Sequence, residues 1–240
     1  MSSVLVLRLA GPLQSWGASS RFVRRTTESA PTKSGVIGLL AAAAGLERGN
    51  DQALTPLAAL RFGVRIDQPG TRIRDFHTAH HAVSGKSMPL TERFYLADAV
   101  FVAALEGEHT LLTQSHAALQ NPVYAPFLGR RSCPPAEQLE LGLYEDAELE
   151  SVLAQVPWQA SAWYRRQHRH QAEKGLTVLR EAAPAEHTGA DTLRDQPLSF
   201  TPAHRRHALR TVVTTTVPLP GLPAGIPAHD PFDALEDERS

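Results

Sequence analysis

One cysteine, Cys133, is all that the chain offers for cross-linking, so no disulfide can form within it. A lone thiol suits a reducing compartment; the other reading of Cys133 is a thiol nucleophile. Long apolar runs are also missing. The longest, Val36–Leu46, is interrupted by Gly38 and Gly45 and reaches about half of the ~20 residues that a membrane helix needs. The apolar start, Val4–Leu9, carries Arg8 and follows no basic leader, so no secretory signal is expected. These absences predict a soluble, cytoplasmic chain. The chain has no Gly-x-x-x-x-Gly-Lys phosphate loop and no Gly-x-Ser-x-Gly nucleophile turn. His80-His81 and His168-x-His170 have no cysteine or acidic partner at ligand spacing, so neither a metal nor another cofactor is expected. No repeat, heptad run or low-complexity tract stands out.

What is present is segregated charge. The formal net charge is −1 over 240 residues. Residues 229–240 carry −4 and residues 137–150 carry −6, which leaves +9 on the other 214. The first 36 residues alone hold five Lys or Arg against one Glu. A polyanionic partner requires such a division, although many proteins without one also show it.

Hydrophobic patterning divides the first 150 residues into strand, helix, strand, strand, helix and strand. Residues 3–9 read as a buried strand and 32–46 as a helix opened by Pro31-Thr32 and ended by Gly45. Residues 61–67 alternate as a strand, 98–105 form an apolar strand, 109–119 an amphipathic helix, and 138–144 a last strand. A short helix over 51–60, an extended piece over 71–78 and a projecting loop over 79–92 are additions. This order predicts an α+β fold, a modified βαββαβ domain of the ferredoxin-like or RRM-like kind, over residues 1–150. Beyond it, 161–170, 175–180 and 207–217 read as strands of a small β-rich region spanning 151–217. The stretch 184–206 reads as polar loop, and 218–240 as a disordered Pro-rich acidic tail.

Four stretches carry chemistry, each with a bland counterpart. Arg8–Gly17 ends a strand in a Gly-Pro turn and presents Trp16, either as a stacking face for a base or as a cover on the core edge. The nearby basic cluster includes Arg25. Pro31-Thr32-Lys33-Ser34-Gly35 places small hydroxyls and a lysine at a helix start, where free N–H groups and the dipole favour a phosphate. An ordinary cap is the alternative. In Arg72–Thr78, alternation puts Arg72, Arg74 and Phe76 on one face and Asp75 and His77 on the other. That is either an RNA-facing strand or a solvated edge. Finally, Gly129 before Arg130 and Arg131 lets backbone approach a phosphate while two guanidiniums reach out, unless the loop is merely a surface turn.

The ordered blocks LRLAGPLQSWG, PTKSGVIGLL, RDFHT and YAPFLGRRSCP together resemble the CasD family of type I-E CRISPR systems, in the RAMP superfamily. The likeness spans roughly residues 3–145. It implies a non-catalytic RNA-binding subunit that caps the 5′ handle of the CRISPR RNA in a Cascade complex. It also implies packing against a CasC-like backbone subunit and a CasA-like large PAM-reading subunit, with target DNA met indirectly and no membrane involved. A thumb-like insertion would occupy residues 79–97. The likeness implies RNA contacts at Lys33, Ser34, Arg74, Asp75, His77, Lys86, Met88, Arg130 and Arg131, and the motifs themselves add Trp16, Arg25, Thr32 and Gly129 as candidate RNA-binding residues. No catalytic residue is implied, because a separate subunit cuts the precursor in this type.

The rival reading is a metal-independent endoribonuclease that processes precursor CRISPR RNA, with His77, Lys33 and Tyr124 as imaginable acid, base or cation. No spacing in the sequence ties those three together. A third reading is an unrelated ferredoxin-like interaction domain.

Overall fold

Strand β1 (Ser2–Ala10) explains its own unbroken apolar run, because it is covered on both faces. Leu5, Leu7 and Leu9 point into one core cluster, and Val4 and Val6 into another; none has exposed surface. The computed structural model describes residues 2–17, 24–168, 175–183, 186 and 190–218. Helix α1 (Lys33–Ala43) and helix α3 (His109–Gln120) supply Val36, Ile37, Leu40, Leu112 and Leu119 to the first cluster. Helix α4 (Leu149–Gln155) supplies Leu149, Val152 and Leu153 to the second. Each such side chain contributes about 1.5–3 kcal/mol by leaving water. A shorter helix, α2 (Asp51–Ala59), follows α1 and is capped by the Asn50 side chain.

Helix α1 begins and ends as its residues dictate. Thr32 is the N-cap and accepts a hydrogen bond from the Gly35 N–H. At the other end Gly45, at φ 73°, donates to Ala42, and Leu46 donates to Ala41. Those two bonds form a Schellman stop, which needs the left-handed residue that glycine provides.

Among the described residues, the main sheet has seven strands. In sequence order they are β1, β4 (Arg61–Gln68), β7 (Val100–Glu108), β8 (Glu140–Glu145), β9 (Leu176–Glu181), β10 (Asp191–Ser199) and β11 (Arg206–Val217). In space they run β10-β11-β9-β4-β7-β1-β8, and every pair is antiparallel. A second sheet projects from it. Strands β5 (Thr71–His77) and β6 (Thr91–Ala97) form an antiparallel hairpin. Strands β2 (Leu13–Gln14) and β3 (Arg24–Arg25) also pair with β6, one antiparallel and one parallel. The fold is thus mixed α/β with a dominant antiparallel sheet.

Several expectations need correction. The strand expected over 161–170 is not found in its described part, 161–168, where Ala162–Gln167 is helix α5; residues 169–170 lie outside the described residues. Its entry is pinned because Ser161 donates N–H and O–H bonds to Gln68 Oε1, and stacking of Tyr164 on His168 needs the helical i, i+4 spacing. The stretch 184–206 is not wholly loop, since β10 lies within it. Its polar residues are stabilised by distant partners, and Pro197 is tolerated because β10 is an edge strand. The insertion placed over 79–97 ends in β6, so only about residues 78–90 form its tip. Of the tail assigned to 218–240, residues 219–240 lie outside the described residues. Among the described residues, no helix is long and apolar enough to cross a membrane.

Candidate nucleic-acid interface

The start of α1 has the donors that a phosphate would want, but the chain fills the seat itself. The Lys33 N–H donates to Asp195 Oδ2 at 2.8 Å, and Lys33 Nζ donates to Glu181 Oε1 at 2.7 Å. Arg210 completes the cluster, donating twice to Asp195 at 2.9 and 2.8 Å. Lys33 is only 3% exposed and Asp195 is fully buried. Burial lowers the Lys33 pKa, and the carboxylate of Glu181 opposes that shift. Thr32 is equally buried, and Ser34 is half-buried beside it. Lys33 and Thr32 therefore act inside the fold, and the expected phosphate seat is corrected to an internal clasp. It is a helix dipole satisfied by a side-chain carboxylate from β10.

Trp16 is corrected in the same way. It has no exposed surface, and its Nε1 donates to Gln14 Oε1 at 3.0 Å. Gln14 in turn donates to the Leu9 and Ala99 carbonyls. The Trp16 ring anchors the root of the second sheet and offers no base a stacking face.

The second sheet brings the other residues together, but on two faces. Cα pairing places His77 opposite Thr91, Asp75 opposite Arg93, Ile73 opposite Tyr95, and Arg25 opposite Arg93. Side chains of paired residues share a face, so His77, Asp75, Arg25 and Arg93 lie on the Tyr95 side. Arg130 joins them from the loop after α3. Its guanidinium lies 4.8 Å from the Tyr95 ring centroid, and Nη2 donates to the Arg25 carbonyl at 2.9 Å. Arg131, next to it, is exposed. Gly129 sets the approach. It has φ 84°, and a Cβ there would overlap the Ser15 carbonyl oxygen.

Arginines outnumber acids on this face, where Asp75 stands in register opposite Arg93. Among the described residues, none of Arg25, Arg93, Arg130 and Arg131 forms an ion pair with a carboxylate. Arg93 Nε and Arg130 Nη1 are buried atoms without a hydrogen-bond acceptor. An unmet buried donor on a charged group costs more than about 1–3 kcal/mol, so such groups are rare unless something else satisfies them.

The opposite face presents cations laid on rings. Arg72 sits 4.9 Å over Phe94 and Arg74 4.7 Å over Phe76, with Arg74 also 3.5 Å from Glu92. Arg74 and Arg130 therefore do not line one trough; the plane of the sheet separates them. Beyond the strands, a His80–Ser87 bridge closes the hairpin tip, which exposes Lys86, Met88 and Val83.

Of the imaginable ribonuclease trio, Lys33 is committed to Glu181, while Tyr124 and His77 are exposed. Cys133 is buried, and burial pushes its thiol pKa up, the wrong direction for a nucleophile. Arg93 was not anticipated. The only sequence signal for it is its place in the alternating stretch TERFYLA.

Known proteins share this architecture. The model of one family, CRISPR-associated protein (Cas_Cas5), matches residues 4–213. The CRISPR system Cascade subunit CasD of Escherichia coli (strain K12) is 34% identical over 171 residues, 64% of this chain and 76% of that one. A crystal structure of a Cas protein is 36% identical with a TM-score of 0.69, covering 93% of this chain and 100% of the other. A chain from a CRISPR RNA-guided surveillance complex is 30% identical with a TM-score of 0.69, covering 98% of each.

Proposed function

The chain belongs to the family of CRISPR-associated proteins described as Cas_Cas5, and on that premise we propose that it grips the 5′ handle of the guide RNA without cutting it. It serves as the CasD-type subunit of an RNA-guided CRISPR surveillance complex. The observation that carries the RNA-binding reading is the gathering of Arg25, Arg93 and Arg130 around Tyr95, none ion-paired with a carboxylate among the described residues and together outnumbering the one acid on their strands' face, Asp75. Ribose–phosphate oxygens satisfy such donors, and planar guanidiniums fit them in bidentate fashion.

The mechanism is positional. Arg25, Arg93 and Arg130 hold phosphates on the Tyr95 face, with Arg131 and His77 at its margin. The tip around Lys86 and Met88 presses on the strand near the junction of handle and spacer. The core, with strand order β4-β7-β1-β8 backed by α1 and α3, supports a ferredoxin-like, RRM-like reading within the RAMP superfamily. Other faces would pack on the CasC-like and CasA-like subunits in the cytoplasm, and contact with target DNA would be indirect.

The test is coexpression with the remaining subunits, with Arg130→Ala/Arg131→Ala beside the wild type. The wild type should copurify with one discrete small RNA, and the variant should lose most of it. Full RNA occupancy in the variant would remove this loop from the site. Incubating the pure protein with labelled repeat RNA in EDTA should give no cut. A discrete cut that vanishes in His77→Ala would replace this reading with the ribonuclease.

A further inference from the structure

Helix α5 lies outside the arginine face and displays an unusual surface. Trp163 is 50% exposed, yet it is held rather than loose. Its ring meets Tyr164 edge-on at 5.6 Å, and Tyr164 stacks on His168 at 3.9 Å and 14°. Tyr164 also abuts Trp158, whose Nε1 donates to the Asp67 carbonyl at 2.9 Å. Gln159 and Ser161 add bonds to the Asp67 carboxylate and to Gln68. The foot of the ladder is thus tied to the end of β4, and the Trp163 indole at its head is half-exposed to solvent.

Charge beside the indole is of one sign. Arg165 and Arg166 are exposed, and neither has a side-chain hydrogen bond or an ion pair among the described residues. Residues 151–168 contain no Asp or Glu. Arg166 sits three residues after Trp163, on the same side of the helix. The dipole at a helix C-terminus explains two arginines there, but it does not explain a half-exposed tryptophan resting against the Tyr164 ring. An unpaired cation beside an exposed ring is the pairing that single-stranded nucleic acid uses, with stacking for the base and guanidinium for the phosphate.

We propose that Trp163, Arg165 and Arg166 form a second contact for a single nucleic-acid strand, apart from the arginine face. An unpaired base stacks on the Trp163 indole, and the two guanidiniums take neighbouring phosphates. The patch begins at the root of the second sheet, since Asp67 and Gln68, which anchor it, precede β5 by only a few residues. The site goes beyond the handle-binding reading, and it takes either an unpaired part of the guide or a strand of the target.

The test places a benzophenone cross-linking residue at position 163 of the assembled complex. One arm carries labelled guide RNA and the other labelled target DNA strands. A cross-link to either strand is expected and identifies it; a cross-link only to another protein subunit, or none, overturns the proposal. In parallel, Trp163→Ala should weaken retention of the strand so identified roughly fivefold to a hundredfold. Trp163→Phe should restore most of it, and Arg165→Glu/Arg166→Glu should reproduce the loss. Unchanged retention in Trp163→Ala and in the charge reversal also overturns it. The handle-binding reading is judged separately, by whether the wild-type complex holds guide RNA at all.

Discussion

Lys33 shows how little a residue's type says about its use. In a phosphate seat its removal would weaken RNA binding and leave the fold alone. In the clasp observed, its removal takes from Glu181 its close partner at 2.7 Å and leaves it only the Arg210 guanidinium at 3.8 Å, while the backbone bond to Asp195 stays. Breaking one partner of a buried pair costs up to about 3–5 kcal/mol. Lys33→Ala should therefore lower urea-unfolding stability by roughly 2–4 kcal/mol, and the RNA affinity of the folded fraction should hold. His207 gives a pH signature. Burial, with Arg205 nearby, holds its pKa below the usual 6.5 in the folded state. The folded protein thus binds fewer protons here than the unfolded chain, so this contribution is complete above pH 6.5 and is lost as pH falls through the lowered value. Comparing thermal unfolding at pH 7.5 and 5.5 should show a smaller acid loss in His207→Phe than in the wild type.

At the scale of elements, the proposed function places RNA on the hairpin β5–β6, and the exposed tip makes no contribution to either core cluster. His77 and Thr91 face each other in register, so Asn-Gly can replace residues 78–90 as a tight turn. The shortened protein should keep its Tm within a few degrees, while the complex loses guide RNA. Unfolding of that variant would mean that the tip supports the core. Which elements are legible in the sequence follows from where their stabilisation lies. Strand β1 and helix α1 announce themselves, because their apolar run, cap and Gly45 stop are local. Helix α4 was missed: Leu149, Val152, Leu153 and Val156 trace a helical stripe, but it is short and opens among the acidic residues around 145–150. Strand β10 was not legible. Its buried Asp195 is stabilised by Arg210 and by Lys33, 162 positions away. For the site, Arg25, His77, Arg130 and Gly129 stood in recognisable motifs. Arg93 became visible only through its pairing with Arg25 and Asp75, and Trp16 looked like a stacking ring until its neighbours covered it.

Across the whole molecule, the segment after residue 150 completes the first half. Strand β9 pairs with β4, and β9 to β11 carry the acids and the arginine that close the start of α1. Arg65, fully buried in β4, donates to Asp67 and to the Leu153, Val156 and Pro157 carbonyls in and just after the last turn of α4. These ties fix the main sheet as a rigid base, and the arginine face stands out from it on the second sheet. The central claim is that Arg93 and Arg130 on that face take RNA phosphates. The most direct check is the salt dependence of handle-RNA affinity for the wild type and for Arg93→Gln/Arg130→Gln. Single strands contribute a slope of about −0.7 in log K against log salt per phosphate neutralised. Losing two contacts should therefore reduce the slope by about 1.4 and weaken binding at every salt concentration. Coincident lines for the two proteins would contradict the account.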